Sequence, residues 1–169
     1  MMDSSIYLSL GSNLGDRRTN LKSALGKLHE KKILLLDESS IYETEPVEVP
    51  EQPEFLNLVC RVQTELKPEA LLRACQEIES ELGRIRQEIK GARTIDIDIL
   101  FYGQQILQRP SLKIPHPAWC KRNFVLIPLA EIASDFRDPV TAKTVAQLRR
   151  ESPDGARVTP QKNVLSPQE

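Results

Sequence analysis

Residues 95–100, IDIDIL, set isoleucines at 95, 97 and 99 against aspartates at 96 and 98. This alternation constrains the fold more than any other stretch. Isoleucine favours strands and aspartate is depleted from them. Side chains alternate faces along a strand, so Ile95, Ile97 and Ile99 share one face and Asp96 and Asp98 the other. At about 3.3 Å rise per residue the two carboxylates stand roughly 7 Å apart. Such a pair repels, and burying either carboxylate uncompensated is costly. The strand needs a core beneath its isoleucines and positive charge over its aspartates.

A second run alternates as cleanly. In FLNLVCRVQTEL, residues 55–66, Leu56, Leu58, Cys60 and Val62 fall on one face, and Phe55, Asn57, Val59 and Arg61 on the other. SIYLSL, 5–10, and KILLLDESSIYET, about 32–44, read as further strands. Helical spacing joins Leu21, Ala24, Leu25 and Leu28, and again Leu71, Leu72, Cys75, Ile78, Glu79 and Leu82. Asp16 suits the first helix's cap, and Pro68 the first position of the second helix. GSNLGD, 11–16, reads as a structural turn in which Asn13 and Asp16 satisfy backbone groups. EPVEVPEQPE, 45–54, with three prolines and four glutamates, reads as a loop. A short strand is expected near 105–108, then a Pro-rich loop and a helix within 112–133. The order is β-α-β-β-α-β followed by additions, which predicts an α+β fold: a ferredoxin-like split βαβ, an antiparallel sheet with helices on one face. We read 1–150 as a single domain and 151–169 as a polar, loosely packed tail.

The 169 residues suffice for one domain with its own core. Net charge is −1, which points to neither nucleic acid nor a membrane surface as partner. No apolar run reaches the roughly 20 residues of a membrane-spanning helix, and MMDSSIYLSLGSN lacks the pattern of a signal peptide. Cys60, Cys75 and Cys120 form no CxxC pair and read as reduced thiols of a cytoplasmic protein.

Three groupings carry chemistry. Two carboxylates at i and i+2 on one sheet face suit Mg²⁺, which takes one or two carboxylates plus substrate phosphates; taken alone, a DxD is more often a solvated face. Arg84, Arg86, Lys90 and Arg93 lie just upstream, either as structural ion-pair partners or as groups that neutralise a polyphosphate. No GxxxxGK[ST] occurs, which excludes a P-loop. In IPHPAWCKRNF, 114–124, His116 is held between prolines with Lys121 and Arg122 behind it, for a structural role or for phosphate contact. Phe55 beside Asn57 offers an aromatic plate and an amide, suited to a flat heterocycle or simply to packing.

The blocks YLSLGSNLGDR, SSIYETEPV, QPEFLNLV, GRIR, GARTIDIDILFYG, IPHP and RNFVLIPLAEIA, in this order across roughly 5–135, resemble the 6-hydroxymethyl-7,8-dihydropterin pyrophosphokinase family. The resemblance implies transfer of diphosphate from the co-substrate ATP to a reduced pterin in folate biosynthesis, with two Mg²⁺ ions on Asp96 and Asp98. It implies pterin stacking between Phe55 and Phe124, with Thr44, Val47 and Asn57 around the ring. It assigns phosphate handling to Arg84, Arg86 and Arg93, with Arg84 and Arg93 catalytic beside the aspartates. The ATP side takes Gln76, Glu79, His116, Arg122 and the backbone of Ile99. It implies small-molecule partners only and a monomer. The chain departs from the pattern at Lys90-Gly91-Ala92-Arg93, where a Trp-Gly-Pro-Arg run is usual, and at Ser111 and Lys113. Loops 45–54 and 84–92 are expected to act as lids. Two other readings stand beside it: another metal-dependent phosphoryl or nucleotidyl transferase, which explains Asp96 and Asp98 but not Phe55, Asn57 and Phe124, and a non-catalytic small-molecule-binding module that uses the carboxylates only structurally.

Overall fold

The computed structural model describes residues 4–45, 51, 53–83 and 94–161. Its main sheet runs β5-β1-β4-β3-β8, with β2 also paired to β4. The strands are β1 (Ile6–Ser12), β2 (Leu34–Glu38), β3 (Tyr42–Thr44), β4 (Phe55–Gln63), β5 (Asp96–Tyr102) and β8 (Val158–Pro160). Every pairing is antiparallel. The two helices of the repeating unit are α1 (Arg17–Glu30) and α2 (Pro68–Glu81). This is the split βαβ arrangement expected from the sequence, with β2 and β3 sharing one edge of β4.

The alternation of β1, β4 and β5 decides which side chains go where. Leu8, Leu10, Leu56, Leu58, Ile97 and Ile99 point to one face and are closed over by Leu21, Ala24 and Leu28 of α1 and Leu71, Ala74 and Ile78 of α2. Each fully buried leucine here contributes about 1.5–3 kcal/mol. Asp16 caps α1, its carboxylate accepting the Thr19 N–H at 3.1 Å, and Pro68 opens α2 where a missing N–H costs nothing. Gly83, at φ +92°, takes the left-handed conformation just past α2.

The opposite face is covered at one end. There Tyr7, Val59, Leu100 and Phe101 pack against α3 (Asn123–Ala133), α4 (Val145–Glu151) and the 3₁₀ turn Trp119–Lys121. A bulge between Tyr7 and Leu8 in the β1–β5 register turns both Leu100 and Phe101 to this side.

Several expectations change. Helices lie on both faces, because the additions bring an apolar stripe of their own. The run 32–44 is two strands, broken where Ser39 accepts the Val59 N–H with its side chain at 3.0 Å. β1 extends to Ser12, so the turn after it is shorter than GSNLGD. The strand expected near 105–108 is β6 (Leu107–Arg109), which pairs with β7 (Leu112–Ile114) in a separate ribbon. The stretch after Arg150, expected to pack loosely, carries β8, paired along β3 from Val158 to Pro160.

Candidate functional site

Register builds the site. Tyr42, Asn57, Gly11 and Asp96 stand in one row across β3, β4, β1 and β5; Val59, Ser9 and Asp98 form the next. Paired residues share a face, so Asn57 and both aspartates lie on the side opposite α1 and α2. The aromatic packing of α3 and α4 takes in Val59, one row from Asn57, and Phe101, beyond Asp98.

Asn57 is 4% exposed, and Thr44 is 1% exposed. The Asn57 Nδ2 donates to Thr44 Oγ1 at 2.6 Å, which turns its Oδ1 over Gly11. A Cβ on Gly11 would meet that oxygen at 2.4 Å and the Phe55 ring at 3.4 Å. Gly11 therefore makes room for the Asn57 amide oxygen beside the Phe55 ring, in the row that leads to Asp96. The sequence reading passed over Gly11 by assigning it to a turn. The available signal was a glycine inside a strand run, which marks close approach.

Asp98 keeps 43% of its side-chain surface exposed, and its Oδ2 lies 4.0 Å from the His116 Nε2. The Ala118 N–H donates to His116 Nδ1 at 3.2 Å, so the ring proton sits on Nε2 and faces the carboxylates. Burial first, then the Arg122 charge, hold the His116 pKa below the ordinary imidazole range, against the upward pull of Asp96. The shift favours the neutral ring, with its N–H directed toward Asp98. Its backbone N–H donates to the Leu100 carbonyl at 3.1 Å, which ties the loop to β5. Arg122 precedes α3 and lays its guanidinium over Phe124, 5.7 Å from the ring centroid.

Glu79 reaches β5 from α2. It is 3% exposed, and its Oε2 accepts the Ile97 N–H at 2.8 Å. Hydrogen bonding alternates along an antiparallel pair, so the backbone groups of Ile99 lie on the same outer edge as those of Ile97. The Ile99 side chain is in the core, 4% exposed. Gln76 is exposed on α2, one turn before Glu79. Burial first, then Glu79 and Asp98, push the Cys75 thiol up to about 12; Cys60 is raised by burial as well. Both are free, buried thiols.

The fold thus brings together Thr44, Phe55, Asn57, Asp96, Asp98 and His116, pairs Arg122 with Phe124, and puts Glu79 and Ile99 along the edge of β5. Val47, Arg84, Arg86 and Arg93 lie outside the described residues, as does most of both loops expected to act as lids. Among the described residues no three His, Cys, Asp or Glu side chains converge as a metal cage. A half-buried carboxylate pair on one face instead fits a hard cation that brings its remaining oxygen ligands with a phosphate. No described helix is long and apolar enough to cross a membrane.

Residues 7–134 match the family described as 7,8-dihydro-6-hydroxymethylpterin-pyrophosphokinase (HPPK). Folic acid synthesis protein fol1 of Pneumocystis carinii is 48% identical over 141 residues, 83% of this chain and 19% of that protein. The chain thus spans about a fifth of that relative's length. The 2-amino-4-hydroxy-6-hydroxymethyldihydropteridine pyrophosphokinase of Bacillus subtilis is 40% identical over 163 residues, 96% of this chain and 94% of its own. In fold, the chain is similar to wild-type Plasmodium falciparum HPPK-DHPS solved with SDX-DHP: TM-score 0.66, 18% identity, covering 87% of this chain and 43% of that one.

Proposed function

The chain belongs to the 7,8-dihydro-6-hydroxymethylpterin-pyrophosphokinase family, and on that premise we propose that it transfers a diphosphate group from ATP to the hydroxymethyl oxygen of 6-hydroxymethyl-7,8-dihydropterin, releasing AMP, as a step of folate biosynthesis. One observation carries this reading furthest: the row Asn57–Gly11–Asp96 sets a buried amide held by Thr44, a glycine that makes room for its oxygen, and a carboxylate side by side on one sheet face. A flat heterocycle seated against Phe55 meets the Asn57 Oδ1 at its polar edge and has its exocyclic arm directed toward the aspartates.

The roles follow from residue chemistry. Thr44 fixes the Asn57 amide so that its oxygen, an acceptor, faces an amino-bearing ring. Phe55 and Phe124 take the two faces of the ring, and Val47 its rim. His116 Nε2–H and the Arg122 guanidinium donate to phosphate oxygens, with Arg84, Arg86 and Arg93 neutralising the rest of the chain of phosphates. Gln76 and Glu79 stand on the nucleotide side, and the outward backbone of Ile99 pairs with the adenine edge. Two Mg²⁺ ions on Asp96 and Asp98, completed by ATP oxygens, supply charge neutralisation and alignment when bound.

The hydroxymethyl oxygen forms its bond to the β-phosphorus and loses its proton to solvent as the bond from that phosphorus to the α-phosphate oxygen breaks, and AMP departs with that oxygen. Little covalent work falls to the protein; positioning and electrostatics supply the acceleration. We take the enzyme to act as a monomer on small molecules alone. The test is AMP formation from ATP with and without the pterin, on the native chain and on Asp98→Ala. Pterin-dependent AMP that falls on the order of 10³-fold in the variant supports the reading. Folded native protein that makes no pterin-dependent AMP sinks it.

A further inference from the structure

The chain after α4 has no part in the reaction so far, yet it touches both walls of the site. The Asp154 Oδ2 accepts the backbone N–H of Asn123, the first residue of α3, at 2.7 Å. Its Oδ1 accepts the Ala156 N–H at 2.8 Å, and the Asn123 Nδ2 donates back to the Asp154 carbonyl at 2.8 Å. Arg122 sits at the cap position but supplies no side-chain cap, and the first turn of α3 holds no acidic residue. A residue 31 positions further along the chain fills both gaps, as acceptor and as negative charge at a helix start. Asn123 lies between Arg122 and Phe124, so its peptide cannot shift without moving both.

The same segment then grips the other wall. The Arg157 N–H donates to Glu45 Oε1 at 3.0 Å, its guanidinium pairs with Glu54, and Val158 pairs with Thr44. Glu45 and Glu54 lie on either side of Val47 in sequence, and Thr44 is the residue that holds the Asn57 amide.

We propose that Asp154 is a positioning residue of the pterin site: it fixes the start of α3, and with it the Phe124 ring and the Arg122 guanidinium, at a set distance from the Thr44–Asn57 wall. It touches no substrate itself. The proposal rests on the reading that Phe124 faces the heterocycle.

Steady-state kinetics in pterin at saturating ATP and Mg²⁺, run well below each variant's Tm, tests it on Asp154→Ala, Asp154→Asn, Asp154→Glu and Phe124→Ala. Asp154→Ala is expected to raise the pterin KM about five- to tenfold, the size of a lost cap, with kcat within about twofold. Asn keeps one acceptor oxygen and recovers most of that loss. Glu keeps the charge but pushes it out by a methylene, and raises KM about threefold, the lower end of a lost cap. Where the Ala variant does not fold, Glu carries the test. A native pterin KM in folded Asp154→Ala or Asp154→Glu, with Phe124→Ala raised, overturns the positioning role and leaves the function standing. A native KM in Phe124→Ala removes the premise, and the proposal falls with it.

Discussion

Glu79 places a carboxylate at 3% exposure against the Ile97 N–H, between the two aspartates of β5 in sequence. Removing it leaves a buried N–H without its acceptor. Glu79→Ala is therefore expected to lower stability by about 2–3 kcal/mol, read from urea unfolding, while Glu79→Gln keeps an acceptor and loses less than about 1. Equal stability of the Ala variant would mean that the bond adds nothing beyond solvation. His116 and Asp98 separate differently, by activity. On the proposed function, a neutral N–H donor gives one hydrogen bond, whereas the carboxylate holds charge at the transferring group. His116→Ala is expected to cost about tenfold in AMP formation against on the order of 10³ for Asp98→Ala. Losses of equal size would show that His116 does more than donate. At this scale the sequence was informative where chemistry and period coincide: Asp96, Asp98 and Asn57 were placed on their face by alternation alone. Gly11 and Asp154 escaped notice because their roles depend on what stands opposite them, Asn57 across the sheet and Asn123 at 31 residues' distance.

β1 shows what a strand contributes beyond its side chains. At Gly11 an added methyl group meets the Asn57 amide. Gly11→Ala pushes the Asn57 Oδ1 aside and strains its 2.6 Å bond to Thr44. The expected cost is about 1–3 kcal/mol of stability, with weaker pterin binding in a fluorescence titration; wild-type binding with an unshifted melting temperature would show that the amide gives way freely. Long, alternating elements such as β4 and β5 were legible because period 2 dominates their composition. The short ones were not. β8 is three residues ending in Pro160, and only its pairing with β3 makes it a strand. α4 has seven residues, and its start is signalled by Thr144-Val145-Ala146-Gln147, a capping box whose two reciprocal bonds both form. The 32–44 run read as one strand because nothing local announces that the Ser39 side chain will take the Val59 N–H.

At the scale of the molecule, β1 and β4 send alternate side chains into two cores at once. Leu8, Leu10 and Leu58 serve the α1/α2 side, and Tyr7 and Val59 the α3/α4 side. Neither core can dissolve without stripping one face of a strand that the other needs, so a single cooperative transition is expected. Trp119 makes this measurable. It is the chain's one tryptophan, 3% exposed, with its ring centroid 4.8 Å from that of Phe101 in the second core. Its fluorescence reports that core, while far-UV circular dichroism reports the whole. The two midpoints should coincide in urea. Leu58→Ala, in the first core, should move both together by about 2–5 kcal/mol. Phe101→Leu, in the second, should likewise move both, by about 1–3 kcal/mol. A fluorescence transition that runs ahead of the dichroism, and that Leu58→Ala leaves in place, would mean that α3, α4 and the turn at Trp119 detach as a unit. In that event the Arg122–Phe124 wall of the site would be the part of the molecule lost first, and activity would vanish at the earlier midpoint rather than at the later one.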